Sequence, residues 1–229
     1  MTAHGIKAVA CRADISTVEG CDLIISTCKS HLPLNGKSGA LQVDILVHSA
    51  ASFHTAPIGA VTVEDFHRVY STNVLGPILL TQACKPYLPT DRSGRIVSLS
   101  SVGSKVGLQY LTLYGGTKGA LEAMTRTWAR ELAENATVNS ISVGSTLTEM
   151  FYNASDEVKA AIAMFYPLTP LSTVREWDTD EAKAMGTKYG GRVAYPEEVA
   201  GIVAMVCSQE SGWMTGSLIG ANGGQWMSD

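Results

Sequence analysis

Residues 95–124 read RIVSLSSVGSKVGLQYLTLYGGTKGALEAM. The opening RIVSLSS has the length and apolar content of a strand and ends in serines. From Tyr114 onward the period changes. Leu121, Met124, Trp128 and Leu132 recur at three- and four-residue steps, which predicts a helix from about Tyr114 to Glu134 with one apolar stripe. A strand that hands over to an amphipathic helix is the repeating unit of a parallel sheet covered by helices.

The same alternation extends in both directions. IKAVAC, DILVHSA, TVNSISV and SLIGA predict further strands near residues 6–11, 44–49, 137–143 and 217–221, beside the one at 95–100. YPEEVAGIVAMVC predicts a second clear helix, with Pro196 at its first position and Glu197 and Glu198 in the turn that favours negative charge. The expected fold is therefore α/β, a Rossmann-like parallel sheet with helices on both faces, built as one domain over residues 1–229.

Composition narrows the partners. A formal charge of −4 without a basic stripe argues against nucleic acid and anionic membrane, leaving a small-molecule substrate. The sequence shows no signal-peptide pattern and no apolar run near the roughly 20 residues of a membrane span, so a cytoplasmic location is expected. Cys11, Cys21, Cys28, Cys84 and Cys207 match no metal-ligand spacing, and no metal is expected. NGKSG at 35–39 contains the GKS of a phosphate loop, but His31 stands where that loop needs glycine.

The chemistry concentrates around YGGTK. Tyr114 and Lys118 are four residues apart on one helix face, and an ammonium beside a phenol favours the phenolate. An ordinary phenol titrates near 10, so acid–base work at neutrality asks for roughly three pKa units, or about 4 kcal/mol. Ser101, at the end of its strand, can donate to a carbonyl that Tyr114 also touches. His48 ends the DILVH strand, where ligands of parallel sheets sit and where an imidazole titrates near neutrality.

Together these segments resemble the short-chain dehydrogenase/reductase family over about residues 6–224. The resemblance implies a polarising role for Ser101, an acid–base pair in Tyr114 and Lys118, and a fourth tetrad member in Asn73 of TNVLG. It aligns ADIST with a strand end whose acid, here Asp14, meets adenine. DILVHSAA, with Ala50, stands where relatives carry a DxLVNNAG-like run. VNSISVGSTLTEM places Thr148 at the nicotinamide amide, and RVAYPEEVA and MTGSLIGANGG match the closing segments. Residues 150–192 resemble the family's substrate lid, rich in Phe151, Tyr152, Met164, Phe165, Tyr166, Trp177, Met185 and Tyr189. Such a cover suits a bulky, apolar, polyketide-like substrate. A homodimer or homotetramer is implied as well.

Several positions depart from the family pattern. The strand, TGxxxGIG turn, helix and second strand that precede the Asp14 position in relatives have no counterpart here, since a βαβ unit needs roughly 30 residues. HSAA replaces NNAG, Val143-Gly144 replaces Pro-Gly, and Asn222 replaces an Asp. The reading that follows is a truncated cofactor site with no cofactor, in which the tetrad performs cofactor-independent isomerisation, dehydration or cyclisation of a carbonyl compound. Two alternatives stay open: an NAD(P)-dependent oxidoreductase, and a noncatalytic partner. The strand at 6–11, lacking its familial neighbour, is expected to pair with DILVHSA or with another subunit.

Overall fold

The computed structural model describes residues 6–35 and 39–227; Gly36, Lys37 and Ser38 of the NGKSG stretch lie outside these. Four parallel strands form one sheet in the order β1 (Ile45–His48), β2 (Gly94–Ser101), β3 (Ala136–Val143) and β4 (Leu218–Ala221). β1 pairs Ile45 with Arg95, β2 pairs Gly94 with Ala136, and β3 pairs Ser140 with Leu218. The central strands β2 and β3 are covered on both faces, which is why their sequences run nearly unbroken in buried residues.

Successive side chains point to opposite faces and so feed two cores. On one face Ile96 and Val138 pack with Leu46, and with Ile25 of α1 (Val18–His31), Cys84 of α3 (Gly76–Cys84) and Ala129 of α4 (Thr112–Glu131). On the other face Val97, Ile141 and Ala221 pack under Val206 of α8 (Pro196–Cys207). The apolar stripe of α4 behaves as its spacing predicts, with Leu121 and Leu132 buried and Met124 and Trp128 half-buried. α2 (Val63–Tyr70) runs through a π-helical turn at Ser71–Leu75 into α3. Between β3 and α8 the chain folds into α5 (Glu149–Tyr152), α6 (Asp156–Ala163) and α7 (Asp180–Tyr189), with a small core of Leu147, Phe151, Tyr166, Met185 and Val193. No helix among the described residues is long and apolar enough to cross a membrane.

The first expected strand does not form. Residues 6–11 lie along the surface, with Ile6 and Val9 exposed, and their backbone makes no hydrogen bond among the described residues. Cys11 is held by its side chain alone, 3.5 Å from the Thr27 hydroxyl of α1. A short apolar run gives a strand only where a neighbouring strand offers its ladder, and among the described residues β1 pairs with β2 alone. Just after this segment the chain turns sharply. Asp14 accepts from the backbone N–H (2.9 Å) and hydroxyl (2.7 Å) of Ser16, and Thr17 caps α1 by accepting from the Gly20 N–H at 3.0 Å.

Gly20 is required by that turn. A Cβ there would stand 1.9 Å from the Asp14 carbonyl oxygen. Gly119 in α4 has nothing within 4 Å of the same added atom. Gly20→Ala should therefore lower unfolding free energy by about 1–3 kcal/mol, whereas Gly119→Ala should raise it by about 0.5–1 kcal/mol. Urea titration of both variants checks this; equal midpoints would show that the turn does not touch the helix.

Candidate active site

The carboxyl ends of β1, β2 and β3 open onto a cavity of about 490 Å³ with mainly apolar walls, among them Val47, Leu99, Val143 and Phe151. Tyr114, Lys118, Ser101 and Thr148 line this one cavity. Tyr114 and Lys118 occupy successive turns of α4 and are buried, 9% and 4% exposed. The Lys118 ammonium donates to the Leu99 carbonyl at 2.6 Å and lies 5.5 Å from the centre of the Tyr114 ring. Phe53 holds that ring edge-on at 4.9 Å.

Two glycines set the distance between strand end and helix. Ser101 begins a tight turn at Val102–Ser104, where its Oγ accepts from the Gly103 N–H at 3.1 Å. This leaves the Ser101 hydroxyl hydrogen free to be given elsewhere. The carbonyl of Gly103 then meets α4 at Gly115, where a Cβ would come within 2.8 Å of it. The two backbones touch, and Ser101 and Tyr114 are brought to the same wall.

Burial dominates the acid–base properties. It pushes the Tyr114 phenol up to about 12, with the Ser101 hydroxyl exerting a smaller downward pull. It also pushes the Lys118 ammonium down to about 8. The sequence argument that a neighbouring ammonium would favour the phenolate is thus reversed: desolvation sets the direction, and Tyr114 is a neutral phenol ready to donate.

Asn73 stands one layer behind. From the π-helical turn its Oδ1 accepts from the Ser52 N–H at 2.7 Å, and its Nδ2 donates to the Ser52 carbonyl (2.9 Å) and the Thr117 hydroxyl (3.1 Å). It ties the loop after β1 to the helix that carries Tyr114. His48 is not brought to the cavity. Because strand residues alternate, Val47 faces the cavity and His48 faces the opposite core, 2.9 Å from the Thr81 hydroxyl and near Trp128. Burial pushes its imidazole down to about 4, so it is neutral. Ala50 is exposed and outside the lining, and Asp14 spends one carboxylate oxygen on its own turn, Ser16 holding the acid below its ordinary value.

Sequence reasoning missed Glu122. Buried at 2% exposure, it accepts from the hydroxyls of Ser100 and Ser104, each at 2.6 Å, and pairs with Lys105 at 2.5 Å. The signal was present: Glu122 follows Tyr114 and Lys118 at the next four-residue step, a charge on the buried face of a helix.

A family profile described as Enoyl-(Acyl carrier protein) reductase matches residues 2–185. L-xylulose reductase of Aspergillus niger is 40% identical, over 97% of this chain and 80% of that protein. L-xylo-3-hexulose reductase of Hypocrea jecorina is 39% identical, over 98% of this chain and 81% of that protein. Among solved structures, the angucycline C-6 ketoreductase LanV with bound NADP matches with a TM-score of 0.76 at 28% identity, over 96% of this chain and 76% of that one. Profile, identity and fold agree with the resemblance read from YGGTK and its neighbours: the chain belongs to the short-chain dehydrogenase/reductase family.

Proposed function

We propose that this protein is an NAD(P)-dependent oxidoreductase that reduces a ketone to a secondary alcohol, with Tyr114 as proton donor, Ser101 as polarising donor and Lys118 as the cation that stabilises the resulting phenolate. This reading replaces the cofactor-independent isomerisation, dehydration or cyclisation expected from the sequence. That expectation is overturned by relatives that are named reductases of ketoses and by a ketoreductase structure described with bound NADP. The expectation that no cofactor is needed falls with it.

The donor set supports a nicotinamide riboside in the cavity. Lys118 carries three N–H donors and gives one to Leu99, so two remain for ribose hydroxyls. Thr148 offers a hydroxyl on the same wall for a carboxamide. When bound, the reduced nicotinamide supplies the hydride that the carbonyl carbon receives. The protein does the rest. Ser101 donates to the carbonyl oxygen and draws electron density from the carbon. Tyr114 transfers its proton to the oxygen as the alcohol forms, and the charge left on the phenolate is offset by Lys118. Apolar walls exclude water and strengthen both interactions.

The observation that carries this reading is the buried neutral phenol of Tyr114 at the cavity wall. Reduction needs an acid, and a phenol held near 12 stays one at any physiological pH. Residues 150–192 would close over the substrate as a lid. Self-association into a homodimer or homotetramer belongs to the same proposal, supported by exposed Phe66 and Leu75 along the α2–α3 rod.

NADPH or NADH oxidation followed at 340 nm with L-xylulose should show turnover, and Tyr114→Phe should lower kcat by about 10²- to 10⁴-fold with an unchanged circular dichroism spectrum. Undiminished turnover in Tyr114→Phe would remove the phenol from the mechanism.

A second expectation concerns Lys118. The unfolded chain keeps this proton up to its ordinary value of 10.5, while the folded protein loses it near 8. Between these values the unfolded state binds more protons, so stability rises with pH. Tyr114 opposes this only above its ordinary value of 10. Lys118→Met removes the titration. Melting both proteins at pH 7 and pH 9.5 should show the wild type gaining on the variant as pH rises; a Tm difference independent of pH would show that the ammonium is not desolvated.

A further inference from the structure

A second cavity, of about 280 Å³, lies beside the first, and Gly144, Ser145 and Val199 line both. It is roofed by the stretch from Tyr166 to Ser172 and floored by the Asn222–Gln225 loop after β4. The roof is joined to the floor, since the Leu171 N–H donates to the Gly223 carbonyl at 3.1 Å, and to the wall at Arg192, whose N–H donates to the Ser172 carbonyl at 2.8 Å.

Four polar atoms buried in this lining make no hydrogen bond: the Tyr166 hydroxyl, Arg192 Nε, Asn222 Nδ2 and Gln225 Nε2; Arg192 Nε faces the Asp178 carboxylate at 3.3 Å, which leaves the other three as orphans. Tyr166 and Asn222 are 5% and 8% exposed. The orientation of Asn222 is fixed, because its Oδ1 accepts from the Gly224 N–H at 3.0 Å, which leaves the amide nitrogen as the spare group. Buried polar groups are ordinarily satisfied, and three orphans around one cavity mark a place for a ligand that supplies acceptors.

Charge decides what kind. Arg192, on the cavity wall, gives two hydrogen bonds of 2.9 Å to Glu198 and lies 3.3 Å from Asp178. The one guanidinium on the wall is already engaged by two carboxylates, so a carboxylate or phosphate ligand would meet no free cation there and would be repelled by Glu198 and Asp178. A neutral hydroxyl accepts from an amide or phenol without that repulsion.

We propose that this second cavity is a distal subsite of the active site, which receives the hydroxylated tail of a polyhydroxy ketone whose carbonyl lies at Tyr114. The tail extends past Ser145 and Val199, which line both cavities, and its hydroxyls take the hydrogen bonds of Tyr166, Asn222 and Gln225. The subsite rests on the carbonyl-reduction reading, and its test separates the two.

Tyr166→Phe and Gln225→Met each remove one spare donor, and because the Tyr166 hydroxyl has no partner in the free protein, Tyr166→Phe should keep or raise Tm. With NADPH, KM for L-xylulose should rise about 3- to 10-fold in either variant, the worth of one hydrogen bond. The kinetics of 2-butanone, which has no hydroxyl tail, should not change. An unchanged KM for L-xylulose would mean that water alone fills the cavity, and equal losses for both ketones would mean a general disturbance; either overturns the subsite. If the wild type reduces no ketone, the carbonyl-reduction reading fails, and the subsite is then read by saturation-transfer NMR with xylitol. Weaker xylitol binding in Tyr166→Phe upholds it, and no binding or equal binding overturns it.

Discussion

The carboxylate of Glu122 lies almost wholly out of solvent, and donors converge on it from Ser100 at the end of β2, Ser104 in the following turn and Lys105 just beyond. A buried charge is tolerated only when it is paired and hydrogen-bonded, so the carboxylate fixes all three donors relative to α4. The turn it fixes contains Gly103, whose carbonyl rests against Gly115 in the helix. Ser101 opens that turn and Tyr114 precedes that glycine, so the spacing of the two reacting hydroxyls follows from a carboxylate that touches neither.

Burial then sets the chemistry of the pair. The same apolar walls raise the phenol and lower the ammonium, which sets Tyr114 and Lys118 further apart in proton affinity than they are in water and leaves the phenol the tighter holder of its proton. An acid that must give up its proton during the reaction gains from a nearby cation whose hydration has already been stripped. The neutral His48 in the opposite core takes no part in this, because nothing in its surroundings favours a charge.

Much of this was legible in the sequence, and the reasons differ from residue to residue. β2 and β3 were readable because strands covered on both faces carry nearly continuous buried runs. Tyr114 and Lys118 were readable because a four-residue step on a helix is a statement about space. IKAVAC was misread because a short apolar run is compatible with a strand but says nothing of whether a neighbour exists to bond it. His48 was misplaced because ending the DILVH strand puts it at the sheet's ligand edge without saying which face it takes, and one residue along a strand moves a side chain through the sheet. The sign of the Tyr114 shift was out of reach because desolvation depends on walls supplied by Phe53 and by β-strand residues far away in the chain. The second cavity was equally hidden, assembled as it is from residues 144 to 225.

The all-parallel topology has a kinetic side. Ile45 pairs with Arg95, Gly94 with Ala136 and Ser140 with Leu218, so each ladder closes a long loop that contains at least one helix. Among the described residues no hairpin offers a short route into the sheet, and the entropy of three such closures must be lost before the ladders begin to compensate. Helices with local caps, such as α1 under Thr17, can form within microseconds and wait for the sheet. During that wait the runs that will become β2 and β3 are unpaired, and they are the longest strands described, eight residues each. This molecule is therefore most vulnerable to aggregation while it folds, and crowded refolding will be harder on it than heat applied to the finished fold.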